Sequence, residues 1–169
     1  MRASIYMEWT MNGDCERLLL DCENELNQIK EWVDNNILDS NVRFLTLYSV
    51  IKSCSTIEVI TKRLIYNYLS QNGNAAANKY LEKAIIDSST NPKTGNIEKI
   101  LQQIDNSLKE TFHNQINEPD KINLNSLVRL RNDFAHGSNV NESINTVVNY
   151  FQSGKHILNQ LNNILFQTI

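Results

Sequence analysis

Three side chains near the end of the stretch NSLVRLRNDFAHGSN could handle a phosphate and a proton together: Arg131, Asn132 and His136. Asn132 and His136 lie four apart and so share one face of a helix. Arg131, one position away, is long enough to reach the same space. Arginine is always charged and presents a planar fork that suits phosphate. The dipole at a helix C-terminus favours an imidazolium at His136, by about 0.3–1 kcal/mol when exposed, whereas a neighbouring guanidinium disfavours it. A proton held between opposing pulls suits a general base. Asn132 could orient the imidazole or a phosphate oxygen. With no metal ligands nearby, such a set fits one reaction: the histidine takes the proton of an RNA 2′-hydroxyl, the oxygen attacks the adjacent phosphorus, and the arginine stabilises the developing charge. DNA has no 2′-hydroxyl and is excluded as the substrate. Spacing alone is weak evidence, since Arg129 also satisfies its loosest form.

The elements that must hold these residues read as helices throughout. Leu124, Leu127, Val128 and Phe134 give the motif segment an amphipathic period, with Asn123 or Asn125 as N-cap and Gly137 as the residue past its end. A first helix is expected over about Asp14–Asn35, with Cys15, Leu19, Cys22, Leu26, Ile29 and Val33 as one stripe. A second, capped at Asp39–Ser40, runs to about Gln71. It is apolar on most sides, as expected of a central helix packed by neighbours on several faces. Its polar stripe of Lys52, Ser55, Glu58 and Lys62 is either a solvated face with a Glu58–Lys62 pair or a face turned toward the Arg131–His136 cluster.

Beyond it, a shorter helix from Asn74 to about Ser88 would bury Tyr80, Leu81, Ala84 and Ile85. Ser88–Asn96 is a loop on composition. One helix is expected from Asn96 to about Ile116, a turn through Pro119 over Asn117–Lys121, a polar turn over Ser138–Glu142, and a final helix to the C-terminus. No strand alternation appears. The fold class is all-α, a bundle of five to six helices with a long central second helix. Residues 1–13 read as an N-terminal segment that either docks or frays, and 14–169 as a single helical domain.

Composition sets outer limits. The 169 residues fit one domain and are 41% hydrophobic and 21% charged, the range of ordinary globular chains. No uninterrupted apolar run reaches membrane-spanning length and no secretory signal opens the chain, so a cytoplasmic protein without membrane contact is expected. Cys15, Cys22 and Cys54 form no CxxC pair and read as small buried hydrophobes, not metal ligands. His113 and His156, lacking acidic neighbours in sequence, read as surface residues. A net charge of −3 argues against broad nucleic-acid affinity. An RNA substrate would therefore need Lys52, Lys62, Arg63, Lys121 and Arg129 to gather into a confined positive cleft.

The heptapeptide RNDFAHG, 131–137, resembles the signature of HEPN domains: an arginine, a polar residue, three to five more positions, then a histidine. A long hydrophobic second helix, a late motif helix and a closing amphipathic helix fit as well, so the resemblance spans roughly Asp14–Ile169. It implies a metal-independent, cofactor-free endoribonuclease, often a toxin or antiviral effector held by an antitoxin or other regulator, and a homodimer in which two motifs line one cleft. Arg131, Asn132 and His136 would be its catalytic residues. Glu58 resembles in place an acidic residue that some members set near the motif arginine, and Asp133 is a second supporting candidate. Lys52, Lys62 and Arg129 would bind RNA. Other HEPN proteins are non-catalytic modules that bind RNA or a partner protein, and that is the alternative.

Overall fold

The computed structural model describes residues 11–138 and 141–166. Among them every regular element is a helix: α1 (Gly13–Asn35), α2 (Asn41–Ser70), α3 (Ala75–Leu81) continuing into a π-helical turn (Glu82–Ile86), α4 (Thr94–Ile104), α5 (Asn106–Gln115), α6 (Glu118–Ala135) and α7 (Ile144–Phe166). The α2 helix is the hub, packing against α1, α6, α7 and the π-helical turn. Its Val50, Cys54, Ile57, Ile60, Leu64 and Ile65 are fully or almost fully buried, and they meet Phe112, Leu124, Leu127 and Phe151 in one continuous core. Seven of its residues are β-branched valine or isoleucine, poor helix formers that tertiary packing holds in place. The Thr46 and Ser49 hydroxyls satisfy themselves on the Val42 and Leu45 carbonyls one turn back. Gly154 lets α7 lie close against α2, since a Cβ there would stand 2.2 Å from Ile57 Cδ1.

The all-α class and the long second helix are as the periodicity predicts. Several boundaries differ, each for a local reason. The segment expected as one helix over 96–116 breaks at Asp105, which is extended (φ −159°, ψ 131°) and accepts from the Ser107 backbone N–H as the cap of α5. The motif helix begins at Glu118, not at Asn123 or Asn125. Asn117 caps it, accepting from Asp120 N–H and donating to Asp120 Oδ2. Pro119 sits in the first turn, where its missing N–H would have been unsatisfied anyway. Asn123 and Asn125 serve as tertiary ties instead, to Ser153 of α7 and Thr94 of α4.

The second helix is not packed all round. Phe44, Tyr48, Ile51 and Val59 form an exposed apolar stripe on it. By length and composition it could also cross a membrane, contrary to the reading of the sequence, but 56% of that window is buried within the bundle, as a core helix would be. The face of Tyr80, Leu81, Ala84 and Ile85 is not buried either; α3 and the π-helical turn contribute no fully buried residue. Most of the expected N-terminal segment 1–13 lies outside the described residues. Of its end, Met11 is buried and Asn12 caps α1, accepting from Asp14 N–H. The expected Ser138–Glu142 turn likewise falls partly outside them, at 139–140, as do residues 167–169 of the expected final helix.

Candidate functional site

The α6 helix ends as its glycine predicts. Gly137 adopts φ +79°, its N–H donates to the Phe134 carbonyl and the Ser138 N–H to the Asp133 carbonyl, a Schellman closure. His136 is the residue at the turn. Its backbone N–H still bonds the Asn132 carbonyl at 3.0 Å, while its side chain stands exposed without a hydrogen bond or ion pair among the described residues.

One step inside the helix, Arg131 is held from two sides. Its Nη1 donates to Asn132 Oδ1 at 3.1 Å and its Nη2 lies 3.6 Å from Glu58 Oε2. Asn132 thus orients the guanidinium through its side-chain carbonyl oxygen, and not the imidazole. Glu58 also accepts from Lys62 Nζ at 2.7 Å, and Lys62 donates onward to the Ser88 carbonyl. The Glu58 and Lys62 side chains are only 17% and 14% exposed, so this edge of α2 is not a solvated face. It looks at the motif arginine, which is itself 36% exposed. A guanidinium with one long ionic contact and open edges can still grip an oxyanion. Asp133 is half-buried beside the cluster. Cys54 also lies near Arg131, but burial pushes its thiol up to about 11, partly opposed by Arg131, so it is a packing group and not a nucleophile.

The expected gathering of cations does not occur. Lys52 is engaged by Glu25 at 2.7 Å, Lys62 by Glu58, and Lys121 by the His113 carbonyl at 3.0 Å; Arg63 stands beside Cys15. Only Arg129 opens onto a groove near the motif, and two lysines not anticipated from the sequence join it: Lys93, just before α4, and Lys99, midway along it. Among the described residues none of the three has an ion pair. The groove runs along Ile122, Asn125, Ser126 and Arg129 of α6. At helical spacing the same face continues to Asn132, Asp133 and His136. Lys93 and Lys99 were legible only as a loop lysine and a lysine on the polar face of an amphipathic helix. The Thr94–Asn125 bonds, 31 residues apart, bring them to α6.

The two other histidines do have carboxylate partners, supplied by tertiary contact. His113 Nδ1 is 2.9 Å from Glu98 Oε1 and His156 Nδ1 is 3.6 Å from Asp120 Oδ2, both in exposed settings away from the motif. Among the described residues no three His, Cys, Asp or Glu side chains come together as a metal-binding group.

Neither a curated protein nor a solved structure matches this chain. The family model RiboL-PSP-HEPN does, over residues 14–167, nearly the whole helical bundle. The chain belongs to this family of HEPN domains and is a HEPN-type ribonuclease or RNA-binding module.

Proposed function

We propose that this protein is a metal-independent endoribonuclease that acts as a homodimer. The observation that carries the reading is the contrast within six residues at the end of α6: Arg131 anchored but open, and His136 exposed with its imidazole unspent. In the proposed step His136 removes the 2′-hydroxyl proton, O2′ bonds to phosphorus, and the P–O5′ bond breaks. The products are a 2′,3′-cyclic phosphate and a 5′-hydroxyl. Arg131 neutralises charge on the equatorial oxygens. The leaving oxygen needs a proton, and one chain offers only one histidine at the site. A second His136 across a two-fold axis would supply it.

The exposed stripe of Phe44, Tyr48, Ile51 and Val59 supports such pairing, because these large apolar side chains are only partly covered within the chain and lie on the helix that carries Glu58. Lys93, Lys99 and Arg129 would lead the RNA backbone along α6 to the motif. A toxin or antiviral effector restrained by an antitoxin is the role we attach to this activity, on the family resemblance. The second reading, a non-catalytic RNA-binding module, is favoured by one observation: both contacts of Arg131 are satisfied inside the chain.

Cleavage of single-stranded RNA in the presence of EDTA, by the native protein and by His136→Ala, separates the two. Cleavage by the native protein that His136→Ala abolishes supports the enzyme. Cleavage that persists in His136→Ala, or binding by the native protein without any cutting, sinks it.

A further inference from the structure

The apolar face of α3 and its π-helical turn, which the sequence leads one to expect inside the core, looks instead into a cavity of about 630 Å³ between α2, the π-helical turn and α4. Pockets of this size hold small organic groups. Its walls are mainly apolar, with Ile65, Leu81, Ile85 and Ile100 among them, and Tyr80, 72% exposed, sets a flat ring at the rim. Into this wall opens Thr61. The residue is only 5% exposed, yet its Oγ1 has no hydrogen-bond partner. Thr46 on the same helix finds the carbonyl one turn back, at 2.9 Å. A buried hydroxyl left unpaired in an apolar wall is costly, and a ligand with a polar edge removes that cost. Gln103 offers a second polar group from α4. π-Helical turns inside helices are frequently found at functional sites.

The cavity also shares a residue with the motif. Glu58 and Lys62 line it, and Glu58 is the carboxylate that faces Arg131. A group in the cavity therefore sits one side chain away from the phosphate site. We propose that this cavity receives a nucleobase of the RNA substrate, splayed out beside the scissile phosphate, with Thr61 and Gln103 reading its polar edge and Tyr80 stacking at the rim. The inference rests on the ribonuclease reading and gives it a base preference. Sequence-specific recognition of RNA relies on single-stranded bases whose faces stack and whose edges hydrogen-bond. A purely aliphatic ligand would fill the walls but leave Thr61 unpaired.

The test uses the full chain and the four ribonucleoside 5′-monophosphates as probes, titrated in turn and followed by amide NMR shifts. The expected result is that at least one probe binds, with shifts centred on Thr61, Leu81 and Ile100, and that Thr61→Val weakens it at least fivefold. Thr61→Val removes an unpaired hydroxyl and keeps the volume, so it folds at least as well as the native chain. Gln103→Ala, on an exposed position of α4, is a second variant expected to weaken binding. Cleavage should prefer the base whose monophosphate binds, and both variants should flatten that preference. The proposal is overturned if no monophosphate shifts these residues at millimolar concentration, or if both variants bind and discriminate like the native chain. If binding follows the cavity but no RNA is cut, the ribonuclease reading fails and the base pocket stands. If His136→Ala abolishes cutting and the cavity stays silent, the reverse holds.

Discussion

Three partly buried carboxylates, Glu23 and Glu25 on α1 and Glu58 on α2, each meet two partners, but only the last set faces the motif. Glu23 takes Lys155 and Gln152 of α7, both at 2.7 Å. Glu25 takes Lys52 at 2.7 Å and the Tyr48 hydroxyl, both of α2. These pairs are closed. The bonds from Lys155 and Gln152 hold Glu23 below the ordinary carboxylate value, and those from Lys52 and Tyr48 do the same for Glu25. Each pins α1 to a neighbour and has nothing left to offer a ligand. Glu58 is tight to Lys62 but 3.6 Å from Arg131. It steers the guanidinium without using it up. Number of charges does not separate a clamp from a site; donors left over do.

That contrast can be broken in order of effect. Losing the unspent groups should matter most. His136→Ala is expected to lower RNA cleavage by about 10²-fold or more. Arg131→Ala should match it on the same scale, with Arg131→Lys restoring little because a point charge lacks the planar fork. Both leave the melting temperature within a few degrees if the motif is a site and not a clamp. A large loss of stability in Arg131→Ala would reverse that assignment. Glu58→Gln keeps the shape and removes the steering charge, so cleavage should fall by roughly tenfold, the scale of residues that orient a contacting group. An unchanged rate would show that Glu58 only packs.

The clamps should report in stability and not in activity. At Glu23 the folded carboxyl titrates below its ordinary value of 4.5. Its stabilisation is therefore fully present above that pH and is lost as pH falls through the lower folded value. Glu23→Gln should flatten the acid limb of a stability-against-pH curve and leave cleavage at neutral pH alone. A limb as steep as the native one would remove Glu23 from the account. Lys52→Ala is the smallest change expected, within about 0.5 kcal/mol, since its pair with Glu25 is about a third exposed. A marked drop in RNA affinity there would restore Lys52 as an RNA contact.

Local patterns carried much of this in the sequence. The period of three to four fixes the helices and their buried stripes: Cys15, Leu19, Cys22 and Leu26 on α1, or Val147, Phe151, Leu158 and Leu161 on α7. Gly137 alone sets where α6 stops, because only its backbone takes φ +79° without strain. The motif itself is three residues within six, and sequence distance there is nearly spatial distance. The Glu58–Lys62 pair was equally visible, being i, i+4.

Everything that joins residues far apart in the chain was settled by packing. Which way the polar edge of α2 faces depends on where α6 lies, and no local pattern encodes that. Lys52, thought free for RNA, meets Glu25 because α1 and α2 cross, while Lys93 and Lys99 reach the motif groove through a 31-residue tie at Thr94 and Asn125. The face of Tyr80 and Ile85 was apolar and helical, and periodicity says only that such a face seeks cover. Tertiary structure left it over a cavity instead, with Thr61 unpaired in the opposite wall. Periodicity fixes a side chain's direction on its own helix; only the packing of helices fixes what stands opposite it.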